Sequence, residues 1–292
     1  METCRLLGGY LDDRGRLHKD TDIVPLTGRE EETLADAREQ NKARLVSEVL
    51  ARCITRLGSL ETVTPEITRG LLVADRQYLL LKLRQLTFGP KVQSTVFCPW
   101  PDCSSRVDID FSLTDIPVKH AENRGATYTF SLPPSADTRT GESMRLHYRL
   151  PVGADQEALQ PRALVNEAEA LTHLLDRCLV GEDGGKIAAS DLSPAARMAL
   201  EREMESSAPA VDLNMDAVCP ECGRGFSLPF DLQDFFFGEL HISRDLLYRE
   251  VHYLAYHYHW SEEEIMTMPR RKRRSYINVL ADEIERMNHE AV

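Results

Sequence analysis

The segments Cys98-Pro99-Trp100-Pro101-Asp102-Cys103 and Cys219-Pro220-Glu221-Cys222 decide how the middle of this chain is interpreted. Each is a short turn that begins and ends in cysteine, and more than one hundred residues separate the two turns. A structural zinc ion is bound by four ligands in a tetrahedron, and two closely spaced cysteines supply half of such a set. The spacing therefore predicts one structural Cys4 zinc site formed by Cys98, Cys103, Cys219 and Cys222.

The residues after the two turns repeat one pattern of apolar positions that ends in an aspartate. After the first turn these positions are Val107, Ile109, Phe111, Leu113 and Asp115, and after the second they are Phe226, Leu228, Phe230, Leu232 and Asp234. Alternation of apolar and polar residues is typical of a strand with one buried face. We therefore expect a split, zinc-ribbon-like antiparallel β unit with an insertion over about residues 116–210.

Other roles for the cysteines are open. The two pairs can be independent of each other, either reduced or disulfide-bonded. A redox Cys-x-x-Cys is expected at the N-terminus of a helix, whereas Gly223-Arg224-Gly225 and a predicted strand follow the second turn. Of the other three cysteines, Cys53 and Cys178 lie on or beside apolar stripes, and Cys4 is expected to be exposed or disordered. An odd total of seven, with four as ligands, indicates a reducing compartment.

The predicted fold class is α+β, with helical N- and C-terminal regions around the central β unit. The boundaries are an irregular N-terminal arm over 1–25, a helical region over 26–91, the β domain over 92–238 and a helical region over 239–292. The arm holds a small hairpin near residues 10–17.

Capping signals and periodicity place the individual elements. Capping-box spacings occur at Thr27/Glu30 and Ser261/Glu264. Apolar residues at three- and four-residue steps predict one long helix ending at Gly58, and Asp75 is expected to cap a helix that ends at Gly89. The insertion is predicted to contain strands over 127–132 and 144–150, a helix over 157–179, and a helix from Pro194 to about residue 205.

Composition excludes several classes of protein. The chain has 292 residues, 42% of them hydrophobic, which is enough for a substantial core. Its net charge of −12 disfavours a nucleic-acid coat or a binder of anionic membranes. There is no apolar run of about 18 residues and no N-terminal signal pattern. No nucleophile elbow, phosphate loop, dinucleotide fingerprint or HExxH motif is present, so we expect no enzymatic activity.

One basic run, Arg270 to Arg274, interrupts the acidic chain at the start of the last predicted helix. Positive charge there opposes the helix dipole, so the run needs an acidic partner in this chain or on another protein. Nucleic-acid binding is the competing interpretation. Aromatic residues crowd the preceding helix, which is typical of a core or an interface. The candidate partner-binding residues are Tyr256, Trp260, Arg270, Arg271, Arg273 and Arg274.

Several segments together resemble a known family. They are Gly70 to Arg84, Tyr148 to Asp155, Cys219 to Gly223, Arg249 to Ala255 and Trp260 to Ile265. In this order they resemble the baseplate-hub and assembly-chaperone family of contractile phage tails and phage-derived contractile injection systems. The chain has Tyr258-His259-Trp260-Ser261 where family members often have Tyr-Gly-Trp-Ser.

The resemblance implies a non-enzymatic structural or chaperone-like protein of a baseplate. Its implied partners are baseplate, hub, spike or tube proteins, and nucleic acid is not among them. The implied location is the cytoplasm during assembly, with the virion or injection particle as the further location of a resident component. The alternative is a zinc-ribbon nucleic-acid-binding adaptor that uses the basic run 270–274.

Overall fold

Buried apolar side chains gather into four clusters in the part of the chain that the computed structural model describes, residues 1–35, 41–132, 145–163, 166–181, 187–242 and 244–290. The largest cluster is centred on the N-terminal region and extends to Phe230, Phe236 and Leu240, and the second joins the insertion to Leu72. The third lies among the C-terminal helices and the fourth around the cysteine turns. Helices alternate with small antiparallel sheets, as the α+β prediction required.

The first 25 residues form part of a sheet, so the prediction of an irregular arm is wrong. β1 (Glu2–Leu11) and β2 (Leu17–Ile23) pair antiparallel, and β3 (Ile54–Leu57) adds to β2. The strand lacks a simple alternation because Leu6 and Leu7 are consecutive and both fully buried, and the register shifts between Arg5 and Tyr10. The boundary placed after residue 25 therefore falls within one structural unit.

The hairpin predicted near residues 10–17 is confirmed as the β1–β2 turn. The Asp12 carboxylate accepts hydrogen bonds from the backbone N–H groups of Arg14 (3.0 Å) and Arg16 (2.8 Å). Gly15 has a φ of 75°, a conformation that glycine adopts without steric cost. Local turn chemistry was therefore a sufficient signal for this element.

The long helix predicted up to Gly58 is instead two helices and a strand. α1 (Gly28–Ala35) and α2 (Lys42–Cys53) lie on either side of residues 36–40, which are outside the described residues. Asn41 caps α2, since its side chain accepts a hydrogen bond from the Arg44 backbone N–H. The chain becomes extended at Ile54, which pairs with Ile23. Tertiary strand pairing thus overrides the continuing helical pattern.

α3 (Pro65–Arg69) begins at a proline, whose missing N–H costs nothing at the first helical position, and α4 (Val73–Phe88) ends before Gly89 as expected. Asp75, however, lies inside the first turn of α4 and does not cap it. Its buried carboxylate accepts hydrogen bonds from the backbone N–H groups of Gly8 (3.0 Å) and Gly9 (2.8 Å), while burial raises its pKa. Asp75 therefore fastens β1 to α4.

The first cysteine turn joins β4 (Lys91–Phe97) to β5 (Arg106–Ser112), which pair along their whole length. Exposed residues alternate with buried or half-buried ones at most positions of both strands, which agrees with the period-2 prediction. A short 3-10 turn, Leu113–Asp115, ends the hairpin.

The insertion has a core that also includes Leu72 of the N-terminal region, and a short β pair lies where the insertion begins and ends. This pair is β6 (Val118–Lys119) with β10 (Ala210–Val211), and backbone hydrogen bonds from Val73 to Pro151 and from Gly153 to Leu71 also join the insertion to the N-terminal region. Between β6 and β10 lie the sheet β7 (Tyr128–Ser131), β8 (Arg145–Tyr148) and β9 (Leu179–Val180), and the helices α5 (Gly153–Ala163), α6 (Glu167–Cys178) and α7 (Pro194–Ser207). The strands predicted over 127–132 and 144–150 are confirmed as β7 and β8, whose connection at 133–144 is outside the described residues. The helix predicted over 157–179 is two helices.

The second cysteine turn joins β11 (Asn214–Val218) to β12 (Gly225–Pro229). The residues that carry the repeated apolar pattern after Cys222 lie in a strand only as far as Pro229. Leu232 and Asp234 already belong to α8 (Leu232–Ile242). The expected strand through residue 234 is therefore too long, because Asp231 begins a helix with its side chain accepting from the Asp234 backbone N–H.

The C-terminal region is helical as predicted. It continues with α9 (Arg244–Tyr258), α10 (Glu262–Met266) and α11 (Arg270–Glu290). The capping box at Ser261 and Glu264 is confirmed. Leu247, Leu254 and Ile265 form the centre of this helical core, which packs against α1 and α4 of the N-terminal region.

Candidate metal centre

The two cysteine turns come together although the sequence separates them by the whole insertion. The Sγ atoms of Cys98 and Cys222 are 3.8 Å apart, and those of Cys103 and Cys219 are 3.7 Å apart. All four Sγ atoms lie within 4.8 Å of one another. Since a disulfide requires about 2.05 Å between sulfurs, these are four free thiols that could bind a metal ion.

The spacing of the thiols fits a tetrahedral ion of the size of zinc. With Zn–S bonds of about 2.3 Å, the edges of a regular tetrahedron are about 3.8 Å long. The Sγ–Sγ distances of Cys98 to Cys222 and of Cys103 to Cys219, each between one turn and the other, match this edge length. Cys98 and Cys219 are buried, while Cys103 and Cys222 are half-buried. The four residues predicted as ligands are thus brought to one point.

Both turns close in the same way in spite of their different lengths. The backbone N–H of Cys98 donates to the Ser105 carbonyl (2.8 Å), and that of Cys219 donates to the Arg224 carbonyl (3.1 Å). The residue directly after each second cysteine is left-handed, with φ of 49° at Ser104 and 69° at Gly223. The longer first turn therefore presents its thiols in a manner equivalent to the shorter second turn.

The electrostatic surroundings differ among the thiols. Hydrogen bonds from the Arg224 backbone and side chain lower the pKa of Cys222 to about 6. Hydrogen bonds from Ser105 lower the pKa of Cys103, whereas burial raises that of Cys98 to about 12. A bound cation would favour the thiolate form of all four.

Arg224 clamps the two turns together. Its guanidinium contacts both carboxylate oxygens of Asp102 at 2.6 Å and lies 4.9 Å from the centre of the Trp100 ring. Val96, Val107 and Phe226 pack around the thiols. The centre thus has an apolar floor, and an ion pair and a cation–π contact of Arg224 join its two turns.

The other three cysteines are buried away from this centre. Cys53 and Cys178 are buried as expected, but Cys4 is only 8% exposed, so its predicted exposure is wrong. It lies on β1, whose inward face joins the N-terminal core. Burial raises the pKa of Cys4 to about 11 and that of Cys178 to about 12. These thiols serve as small apolar side chains.

Part of the predicted partner surface is internal. Arg273 has no exposed surface, and its guanidinium binds Glu31 at 2.8 Å and Glu250 at 3.1 Å. Arg270 contacts Glu31 and lies over the Phe88 ring. The acidic partner required by the basic run is therefore in this chain, and Arg273 is removed from the candidate docking residues.

The remaining candidates keep some exposure. Tyr256 is 69% exposed, and Arg271 and Arg274 are also on the surface. Trp260 is half-buried and stacks on Tyr258 at a centroid distance of 4.7 Å. Their role in partner binding stays a prediction. Sequence reasoning missed Glu31 and Glu250, because no local pattern connects them to an arginine more than twenty residues away.

Two family matches, and the absence of a membrane-spanning helix from the described ranges, characterise the chain further. Among the described residues, no helix is both long enough and apolar enough to cross a membrane. Residues 16–237 match the family described as T4 bacteriophage base plate protein, and residues 240–292 match a family of unknown function, DUF6760. Neither a curated protein nor a solved structure gives a significant match.

The chain belongs to the T4 bacteriophage base plate protein family, whose match covers about three quarters of its length. This confirms the predicted relationship to phage baseplate proteins and supports a structural role in a phage baseplate, together with other baseplate components. The boundary between the two matched segments falls inside α8.

Proposed function

We propose that this protein is a non-enzymatic structural or chaperone-like component of a contractile tail or injection-system baseplate, and that it acts by docking to other baseplate, hub, spike or tube proteins. The observation that carries the proposal is the family match over residues 16–237. The mixed fold, with its four apolar clusters, supports a protein that offers several docking faces.

The four-thiol centre supports a structural role. We assign Cys98, Cys103, Cys219 and Cys222 as ligands of one zinc ion, which would cross-link the two hairpins on either side of the insertion. Four protein thiolates close the coordination shell, so the ion would stabilise the fold and would not activate water. Around it, Phe97 is 66% exposed and Val218 is 65% exposed, and an exposed apolar rim of this kind favours protein docking.

Metal analysis of the purified protein tests the zinc assignment. We expect one zinc ion per chain, loss of that ion in Cys219→Ser, and cooperative unfolding at a lower temperature after chelation. Cys53→Ala is the matched control, since it removes a buried cysteine from outside the centre and should retain the metal. A metal-free protein whose unfolding is unchanged by chelation would contradict the assignment.

The composition of particles tests the baseplate role. A resident component should be found by mass spectrometry in purified mature particles, in fixed proportion to other baseplate proteins. A chaperone-like protein should be found in assembly intermediates in the cytoplasm and be absent from mature particles. Normal particle assembly in cells that lack the protein would contradict both versions.

The nucleic-acid adaptor is the weaker candidate. It requires the basic run to face outward, but Arg273 is fully buried and Arg270 is engaged with Glu31 and Phe88. Nucleic-acid binding would also have to show a steep dependence on salt. A titration at low salt that finds tight binding would restore this candidate.

A further inference from the structure

A cleft of about 650 Å³ lies between the end of α4 and the first turns of α11. Its volume is within the range of about 300–1,000 Å³ that is typical of ligand pockets. One wall is largely apolar and the other is basic. The residues that matter for recognition are Leu86, Phe88 and Pro90 on the first wall, and Arg270, Arg271 and Arg274 on the second.

The basic wall has a surplus of positive charge. Within the described ranges, the three arginines Arg270, Arg273 and Arg274 contact two carboxylates, those of Glu31 and Glu250. This cluster therefore has a net charge of one positive unit.

Arg271 adds a second positive unit, since its side chain is exposed and makes no ion pair within the described part of the chain. The N-terminal end of α11 contributes further positive potential from its backbone dipoles. In a chain with a net charge of −12, this is a localised site for a negative group.

The cleft is held in shape by groups that are already paired. Arg84, whose side chain is only 4% exposed, donates to both carboxylate oxygens of Glu239 at 3.0 and 2.7 Å and to the carbonyl of Lys91 at 2.8 Å. The guanidinium carbons of Arg84 and Arg270 lie 6.0 and 4.8 Å from the centre of the Phe88 ring. These contacts fix the floor of the cleft. Arg271 is exposed, and the side chain of Arg274 is 46% exposed although its Nε binds Glu250 at 2.6 Å.

We infer that this cleft binds an acidic segment of a partner protein, in which carboxylates flank an apolar side chain. The carboxylates would meet Arg271 and Arg274, and the apolar side chain would pack against Leu86, Phe88 and Pro90. The inference rests on the proposed function, because it specifies the chemistry of a docking partner. It also places the partner across the two segments that match different families.

An acidic protein segment fits the cleft better than nucleic acid does. A polyanion would be bound through an extended series of cations, whereas this cleft has two available arginines beside an apolar wall. The net charge of the remaining surface would repel a long nucleic acid. Short carboxylate-bearing segments avoid both difficulties.

The test measures binding of a short fluorescent peptide, in which Asp and Glu alternate with Leu and Phe, to the full chain. The variant Gln85→Glu/Arg271→Glu reverses the charge of the cleft and changes two side chains that have no contacts in the buried ion cluster. We expect about tenfold weaker binding in this variant, and similar weakening at high salt. Arg202→Glu, an exposed charge reversal on α7, is the matched control and should bind normally.

Two further probes define what would overturn the inference. A peptide with Asn and Gln in place of the acids should bind at least about tenfold more weakly than the acidic peptide. Equal binding of both peptides, unchanged binding in the charge-reversed variant, or no binding at all would overturn the inference. So would an oligonucleotide that binds in place of the acidic peptide and is lost in the same variant.

Separate control measurements cover the folding of the variants and the baseplate role. Thermal unfolding verifies that the double variant is folded, and Arg271→Gln provides a milder variant that removes one exposed charge. Particle composition judges the baseplate role independently, since the protein can be a baseplate component even if this cleft binds no acidic peptide.

Discussion

Replacing Arg273 with methionine tests the buried ion cluster that joins the C-terminal helices to α1. The Arg273 guanidinium binds Glu31 at 2.8 Å and Glu250 at 3.1 Å, and donates to the Met268 carbonyl at 2.7 Å. Arg273 is 0%, Glu31 2% and Glu250 7% exposed. Methionine retains most of the apolar stem, so the variant mainly removes charge and hydrogen bonds.

The expected cost follows from the burial of the two carboxylates. Removing one partner from a buried ion pair costs about 3–5 kcal/mol, because the other charge is left uncompensated. Here two carboxylates lose their central partner, although Arg270 remains 3.3 Å from Glu31 and Arg274 remains 2.6 Å from Glu250. We therefore expect the free energy of unfolding to fall by about 3 kcal/mol, the lower end of that range.

The loss should depend on pH in a defined direction. Burial raises the pKa of Glu31, and the charges of Arg273 and Arg270 oppose that rise. Without Arg273 the pKa of Glu31 rises further, so the folded variant binds a proton more tightly than the unfolded chain does. The stability of the variant relative to wild type should therefore be lowest at about pH 8 and recover towards about pH 5, where Glu31 is increasingly protonated.

Urea unfolding at the two pH values measures this effect. Arg271→Met removes a neighbouring exposed arginine from the same helix and should change stability by less than about 0.5 kcal/mol. The double variant Glu31→Gln/Arg273→Met should regain part of the loss, since it removes one of the stranded charges. A loss of stability in Arg273→Met that is no larger than in Arg271→Met, or that is the same at both pH values, would refute this role of Arg273.

Three further predictions concern the buried backbone and carboxylate contacts, and urea unfolding measures each. Gly153→Ala should lower the free energy of unfolding by about 1–3 kcal/mol, because its Cβ atom would lie 2.3 Å from Nη1 of the buried Arg76. Gly238→Ala in α8 is the control: its Cβ would meet nothing within 4 Å, so the substitution should be neutral or stabilising. An equal effect of the two glycine substitutions would contradict the packing argument. Burial opposes ionisation of Asp155, but hydrogen bonds from Arg149, the Val152 backbone N–H and Arg177 hold its pKa below the usual value. Asp155→Asn should therefore lower stability at neutral pH, and its difference from wild type should shrink as pH falls below about 4; a difference that is constant down to acid pH would oppose this. Asp75→Asn should lower the free energy of unfolding by about 1–3 kcal/mol, because the amide nitrogen cannot accept a hydrogen bond, so only one of the Gly8 and Gly9 N–H groups keeps its acceptor. Unchanged stability would contradict this prediction.

The candidate metal centre was accessible to sequence reasoning because its signals are local. Two cysteines in a short turn, a left-handed residue after the second turn and an alternating strand are properties of a few neighbouring residues. The expectation of four tetrahedral ligands then predicts that the two cysteine pairs lie together. The same locality explains why the capping box at Ser261 was predicted correctly.

The errors arise where distant segments decide the structure. One face of β1 is buried because Leu6 and Leu7 pack in the N-terminal core. The composition of β1 alone does not predict this burial. Ile54 leaves the helix because β2 is available for pairing. Arg273 is buried because Glu31, more than two hundred residues earlier, lies beside it. Long-range pairing of this kind has no signature in a single local pattern.

The separation of the two cysteine turns also sets an order of events during synthesis. At about 5–20 residues per second, the second turn leaves the ribosome roughly 6–24 s after the first. Throughout that interval Cys98 and Cys103 have no opposing pair of thiols, while the insertion between them and Cys219 is still being made. Cys98 and Cys103 therefore stay without their neighbouring thiols until the second turn emerges, and a chain truncated before Cys219 would leave these two thiols exposed to oxidation.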